Sequence, residues 1–268
     1  MSEILTVAAG ASDCPVVLHV PHDSRYIPEE VAADFVATPE EIDAELDKVT
    51  DLGTGALAVA ARDGAGRRQW LVRNEVSRLV ADPGRFYNQR ASMEASGRGA
   101  VYTRLSDGGV LRPAGFDPSA IKAQYFFAYD DQVAQVVRAR LSEAGAAVIV
   151  DVHSYANQPE AYRIHSGKLL PDVCIGTHSV HSPAVLTDTA ARVFAAAGFN
   201  VERNTPFTGV YVPADYESNA QVLGIMFEVR DDLLAPGSES AASVAAALAE
   251  VLREAERIAG MEMGRPCN

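Results

Sequence analysis

Two histidines and several carboxylates stand where short apolar runs end. His22 follows the run Val16 to Val20 (VVLHV) within the segment Pro21-His22-Asp23-Ser24. Asp151 closes the run Ala147 to Val152 (AVIVDV), with His153 and Ser154 next, and Glu228 lies inside Val222 to Val229 (VLGIMFEV), just ahead of Arg230. Imidazole and carboxylate are the ligands of metal-assisted hydrolases, which keep one coordination position open for water. A lone histidine after a strand is commonly a cap or a core residue; two on separate strands fit a metal site equally well. Glu228 is a single acid in an apolar run, and a buried carboxylate is costly unless paired or functional. It either pairs with an arginine or acts as a general base, and the pattern favours neither. His19 precedes His22 by three residues, a spacing that puts the two on opposite faces of a strand, and it reads as core. His165, His178 and His181 fall in or near loops, where local hydrogen bonding is the simpler role.

The elements that must position these groups alternate. VVLHV and Gln69 to Asn74 (QWLVRN) read as strands, as do AVIVDV, Asp172 to Thr177 (DVCIGT), Phe199 to Asn204 (FNVERN) and VLGIMFEV. PEEVAADF and PEEIDAEL open with proline and acids, as helix N-termini do. Thr50 to Arg62 (TDLGTGALAVAAR) predicts a helix capped by Thr50 or Asp51. Further helices are predicted from Pro118 to Ala144, closed by Gly145, from Pro183 to Gly198, and from Ser238 to Ala259. Continuous apolar strands between helices imply an α/β fold, with a mostly parallel or mixed sheet covered on both faces. Ligands of such sheets bind at the carboxyl ends of the strands, where His22, His153 and Glu228 collect. No repeat or linker divides residues 1–268, so one catalytic domain is expected.

Charge narrows the ligand. The 268 residues carry 23 basic and 36 acidic side chains, a formal net charge of −13. Twenty of the basic residues are Arg and three are Lys. Ten of those arginines lie between Arg62 and Arg112 beside five carboxylates, a local net of +5 that leaves −18 elsewhere. Such a balance disfavours nucleic acid and anionic membranes as partners. The guanidinium band suits a small anion, since its planar fork matches a carboxylate. Arg78 stands out because Leu79, Val80 and Ala81 follow it, the setting of a partly buried guanidinium, and Asp82 can orient Arg78 or Arg85. Residues 77–115 otherwise lack periodicity, and a stretch that long is usually functional.

Several classes lose support. There is no GxSxG elbow, P-loop, HExxH, or GxGxxG after a strand. No apolar run approaches the ~20 residues of a membrane span. Cys14, Cys174 and Cys267 are far apart, and MSEILTVAAG lacks a basic leader, so a reducing compartment, the cytoplasm, is expected.

The chain resembles the N-formylglutamate amidohydrolase (N-formylglutamate deformylase) family. The resemblance rests on VPHDSRYIP (Val20 to Pro28), TDLGTGAL (Thr50 to Leu57), VSRLVADPGRF (Val76 to Phe86), VYTRLSDGGVLR (Val101 to Arg112), DVHSY (Asp151 to Tyr155), NTPFTGVYV (Asn204 to Val212) and IMFEVRDDL (Ile225 to Leu233), in that order. It implies a zinc-carboxypeptidase-like three-layer sandwich and hydrolysis of N-formyl-L-glutamate to formate and glutamate, a step of histidine degradation. It further implies Zn2+ or another divalent metal on His22, His153 and Asp51, Glu228 as general base, and Arg78, Arg85 and Arg104 as binders of a dicarboxylate. The chain departs from the family pattern at QYFFAYDDQV, where Asp130 replaces a histidine, and at Gly84. Those departures leave two alternatives: a metal-dependent hydrolase of another N-acyl amino acid or short peptide, and a silent binder of an acidic metabolite.

Overall fold

The computed structural model describes residues 4–85, 90–157 and 170–262. Among these residues seven strands build one sheet: β1 (Leu5–Ala8), β2 (Val16–Val20), β3 (Trp70–Asn74), β4 (Ala147–Tyr155), β5 (Val173–Gly176), β6 (Val201–Arg203) and β7 (Val222–Arg230). Their order is β1-β3-β2-β4-β7-β5-β6. The pairs β2–β3, β2–β4, β4–β7 and β5–β6 are parallel, whereas β1 runs antiparallel to β3 and β5 antiparallel to β7. The sheet is therefore mixed, with a parallel centre. Strand β1 leaves no signal in the sequence because its four residues carry no continuous apolar run; only Leu5 is buried.

The helices are α1 (Glu29–Ala32), α2 (Pro39–Val49), α3 (Thr54–Gly64), α4 (Arg90–Ala95), α5 (Ser119–Ile121), α6 (Ala128–Ala144), α7 (Ala184–Ala196) and α8 (Glu239–Glu262). All nine residues of β4 are buried, as are all five of β2, so both faces of the central strands are covered. Successive residues of these strands divide between the two faces. Val16, Leu18, Val148, Val150, Val152, Ile225 and Phe227 pack with residues of α3, α7 and α8 such as Ala58, Phe194 and Leu248. The alternate positions, Val17, Ala147 and Ile149, face Tyr129, Val133 and Val137 of α6. This makes three layers. Burying each such Val, Leu or Phe contributes roughly 1.5–3 kcal/mol.

The same alternation of side chains along a strand puts His19, Asp151, His153 and Glu228 on the α6 face. The register tightens this: His19 lies opposite Asp151 across β2–β4, and His153 opposite Glu228 across β4–β7. Strand β4 extends three residues past the predicted Val152, so His153 and Ser154 are strand residues and not the start of a loop.

Two expectations about helices change. The helix predicted from Pro118 is interrupted by a π-helical turn, Lys122–Phe127, between α5 and α6. That wider turn lets Tyr125 and Phe126 join Val31 and Val80 while Tyr129 stays under the sheet. Helix α3 starts at Thr54 with Gly53 as its cap, in the left-handed region at φ 89°, not with Thr50 or Asp51. The Asp23 carboxylate accepts from the amides of Gly53 and Gly55 instead. Asp51 is thereby free of capping duty.

Candidate metal centre and active site

His22 leaves the end of β2, Asp51 sits just before α3, and His153 lies near the end of β4. The chain brings all three together in a buried cluster. His22 Nδ1 is 3.2 Å from His153 Nδ1 and 3.4 Å from Asp51 Oδ2, and His153 Nδ1 is 2.9 Å from the same oxygen. Tetrahedral ligands roughly 2.0–2.1 Å from a zinc ion stand about 3.3 Å apart. The three donor atoms match that spacing.

Hydrogen-bond accounting makes the same point. Asp82 Oδ1 lies 2.8 Å from His22 Nε2, and Asp151 Oδ1 lies 3.1 Å from His153 Nε2. A carboxylate can only accept, so each Nε2 carries a proton. Both Nδ1 atoms face the common space beside Asp51, where without a metal His153 Nδ1 donates to Asp51 Oδ2 and a bound dication would displace that proton. This is the carboxylate–histidine–metal arrangement, in which the outer carboxylate fixes tautomer and ring orientation. The donors fit a divalent ion such as zinc.

Electrostatics agree. Burial alone would raise the Asp51 carboxyl, but hydrogen bonds from His153 and His22 and the Arg78 charge hold it far below the usual range. Burial opposes a charge on His153, yet Asp151, Asp51 and Glu228 raise its proton affinity well above the ordinary. The site attracts positive charge. Glu228 is pushed up to about 8, first by burial, with the neighbouring Asp51 and Asp151 charges adding to it and His153 and Arg78 opposing.

Asp82 is a hub in the loop after β3. Besides His22, it accepts from the Gly84 amide at 3.0 Å and the Tyr102 hydroxyl at 2.6 Å, and it pairs with Arg78 and Arg85 at 3.3 and 3.2 Å. Burial would raise its carboxyl, but Arg78, Arg85 and His22 keep it ionised. The loop is held by polar contacts that apolar periodicity cannot reveal. Buried Arg112 donates to the carbonyls of Tyr102 and Leu79, and its guanidinium packs over Phe35 and Phe116. Gly84 is required by space: a Cβ there would stand 2.9 Å from His22 Cε1.

The arginines separate. Arg78 lies within the cluster, donating to Val49 O, 3.5 Å from Asp51 Oδ1 and with Nη2 2.9 Å from His22 Nδ1. Arg85 bonds to Tyr102 and to Arg98 O and lines a cavity of about 250 Å3 with Pro83, Phe126, Asp130 and Tyr211. Arg104 is exposed, bonded to Gly108 O on a short bridge with Val110, and is not brought to the cluster.

Sequence reasoning gives Asp82 only an arginine as partner, and it does not find the places of Asp151, Tyr102 and His19 beside the candidate ligands. Asp151 at the end of an apolar run is the one available signal. His19 is fully buried, as expected, but it is bonded to Asp151. His181 bridges the carbonyls of Val222 and Glu217, a local role; His165, Cys267 and Phe86 fall outside the described residues.

Known proteins share this architecture. The chain superposes on an N-formylglutamate amidohydrolase from Ralstonia eutropha JMP134 with a TM-score of 0.78 and 20% identity, covering 97% of this chain and 99% of that one. A gene product from Agrobacterium tumefaciens gives 0.70 and 21%, covering 98% and 97%. At these identities the likeness establishes the fold. No curated protein sequence matches the chain. The sequence model of the N-formylglutamate amidohydrolases matches residues 14–235, a span that holds His22, Asp51, His153 and Glu228, and on that match the chain belongs to the N-formylglutamate amidohydrolase family.

Proposed function

We propose that this protein hydrolyses the formyl amide of N-formyl-L-glutamate to formate and L-glutamate, with a divalent metal, zinc first, held by His22, Asp51 and His153. The observation that carries the reading is the convergence of His22 Nδ1, His153 Nδ1 and Asp51 Oδ2, each histidine backed by its own carboxylate. A bound dication supplies a Lewis acid that makes water a competent nucleophile near neutral pH and draws charge from an amide oxygen.

The chain's own residues do the rest. Glu228 lies one strand from His153 in register; a dication on the neighbouring ligands would favour its ionised form, and that carboxylate takes a proton from the attacking water. Burial makes it a stronger base than an exposed carboxylate. As the water oxygen bonds to the formyl carbon, the Arg78 guanidinium faces the developing oxyanion or a substrate carboxylate. The C–N bond then breaks, and Glu228 returns the proton to the departing nitrogen. Arg85, on the cavity wall, is the second carboxylate binder, and a bidentate hold there orients the amide. The reaction would close a histidine-degradation route in the cytoplasm; among the described residues no helix is long and apolar enough to cross a membrane.

One observation favours a second reading. The cavity beside Arg85 is also lined by Asp130, Asp131, Asp215 and Glu217, a poor environment for a second substrate carboxylate. Hydrolysis of another N-acyl amino acid follows if that cavity receives the side chain. Metal quantification with a formate-release assay on N-formyl-L-glutamate and N-formyl-L-aspartate, and an acetate-release assay on N-acetyl-L-glutamate, decides. Stoichiometric zinc with preferred turnover of N-formyl-L-glutamate supports the proposal. Preference for another acyl amino acid supports the second reading, and anion binding with neither metal nor turnover defeats both.

A further inference from the structure

His153 Nε2 and His19 Nδ1 meet the same oxygen, Asp151 Oδ1, at 3.1 and 2.7 Å. The other oxygen, Asp151 Oδ2, accepts from the Tyr211 amide at 3.0 Å. Because the carboxylate only accepts, His19 carries its proton on Nδ1. Its Nε2 is then an acceptor, and the Tyr129 hydroxyl stands 2.8 Å away to donate into it. The chain of donation has one direction: Tyr129 to His19, His19 to Asp151, and Asp151 receiving also from His153. His19, Asp151 and Tyr129 are at most 1% exposed, so water cannot substitute for a missing member. The Tyr211 ring stacks on His19 with centroids 4.3 Å apart and holds the imidazole plane.

We infer that His19, backed by Tyr129, is a positioning residue for the metal centre: it anchors Asp151 so that His153 keeps its proton on Nε2 and presents Nδ1 to the metal. Nothing in its place in the sequence suggests this, since a histidine in an apolar strand reads as core. The geometry gives it a further task. Without the His19 donor, Asp151 keeps only the Tyr211 amide on its other oxygen, and Oδ1, the atom that meets His153, loses its second donor. Partners of this outer kind typically contribute about 10–100-fold to metal affinity.

The inference rests on the reading of His22, Asp51 and His153 as ligands, and its test separates the two. Zinc affinity of the full chain is measured by competition with a chromophoric chelator, and the proton resonance of His153 Nε2–H is recorded in zinc-free protein. His19→Leu is expected to weaken zinc binding by roughly tenfold or more and to move the His153 Nε2–H resonance upfield or lose it to exchange. His19→Asn places an amide N–H where Nδ1–H stood and restores most of the affinity, which a purely packing role would not produce. Tyr129→Phe, which deletes one hydroxyl, shifts both readouts in the same direction and carries the test if His19→Leu misfolds. Tyr125→Phe, whose hydroxyl meets Glu30 on a different face, serves as the control and changes neither.

Wild-type zinc affinity and an unchanged His153 spectrum in His19→Leu would overturn the inference, as would a His19→Asn variant no better than His19→Leu. Should the wild-type chain bind no zinc, the metal reading fails. The His153 Nε2–H resonance still decides the positioning role: a downfield, slowly exchanging proton in the wild type that moves upfield or is lost to exchange in His19→Leu supports it, and identical spectra reject it.

Discussion

Asp82 and Gly84 hold His22 from two sides. The Asp82 carboxylate meets the ring at Nε2, while Gly84 leaves space for Cε1 that a single methyl group would fill. The ring is thus oriented by one charge and one absence of a side chain, both from a loop with no regular structure.

Gly84→Ala should therefore impair zinc binding without unfolding the protein. The added Cβ would stand 2.9 Å from His22 Cε1 and 3.2 Å from Asp82 Oδ1, so the imidazole must move. Zinc affinity measured by chelator competition is expected to fall about tenfold or more, with the thermal midpoint of the zinc-free protein nearly unchanged. An alanine variant that binds zinc normally would show that the ring is not confined there.

Asp82→Asn keeps the shape and removes the anion. An amide can offer its NH2 to Nε2 and favour the wrong tautomer, turning the proton toward Nδ1. The expected result is a loss of zinc affinity of about 10–100-fold and release of Arg78 and Arg85 from their shared partner. Isothermal titration with zinc checks the first, and the KM for N-formyl-L-glutamate the second.

Glu228→Gln should separate binding from chemistry. The variant retains zinc but loses its proton acceptor, and kcat is expected to drop by about 10²–10⁴ with little change in KM. The same variant carries a pH signature in chelator-treated protein. The Glu228 carboxyl is held at about 8 in the folded chain against 4.5 for the ordinary group, chiefly by burial. Below 4.5 both states are protonated and its contribution to stability is complete. Between 4.5 and 8 the unfolded chain ionises while the folded one does not, so stability is lost as pH rises, by on the order of a few kcal/mol. The glutamine variant lacks this loss, and its thermal midpoint should exceed the wild type's by an amount that grows from about pH 5 to about pH 8. A constant difference would show that Glu228 ionises normally in the folded protein.

The arginines differ in what they should do to substrate binding. Arg78→Ala is expected to raise KM more for N-formyl-L-glutamate than for a neutral formyl amide, and Arg85→Ala to do likewise. Arg104, exposed and bonded to its own turn, is expected to leave both constants within about twofold when changed to alanine, as a surface substitution away from special contacts does. Equal effects of Arg78→Ala on both substrates would remove it from the carboxylate pocket.

The layers of the fold are legible in the sequence because they follow from apolar continuity. AVIVDV and VLGIMFEV have no polar face to expose, and their burial on both sides gives a sheet between helices. Two candidate ligands and the candidate base are legible for a related reason: His22, His153 and Glu228 are polar groups placed where such runs end or break. What holds those groups in position is not. Asp82, Tyr102 and Arg112 act from a loop whose cohesion comes from charge and hydrogen bonds, which have no sequence period. The π-turn is hidden as well, since Lys122–Phe127 carries ordinary helix formers and aromatics and the wider turn is set by what each ring packs against.

The register of β2, β4 and β7 carries a consequence for how such an enzyme can change. His19 opposite Asp151 and His153 opposite Glu228 are matched across strands buried on both faces. Inserting or deleting one residue upstream within β4 would send His153 to the side occupied by α8 and bring an aliphatic side chain to the metal position. The paired strands therefore resist a change of length, while the part of the cavity rim that holds none of the candidate ligands, residues 214–217, can be lengthened or rebuilt without disturbing the pairing. New substrates would be acquired by loop remodelling around a fixed-length frame.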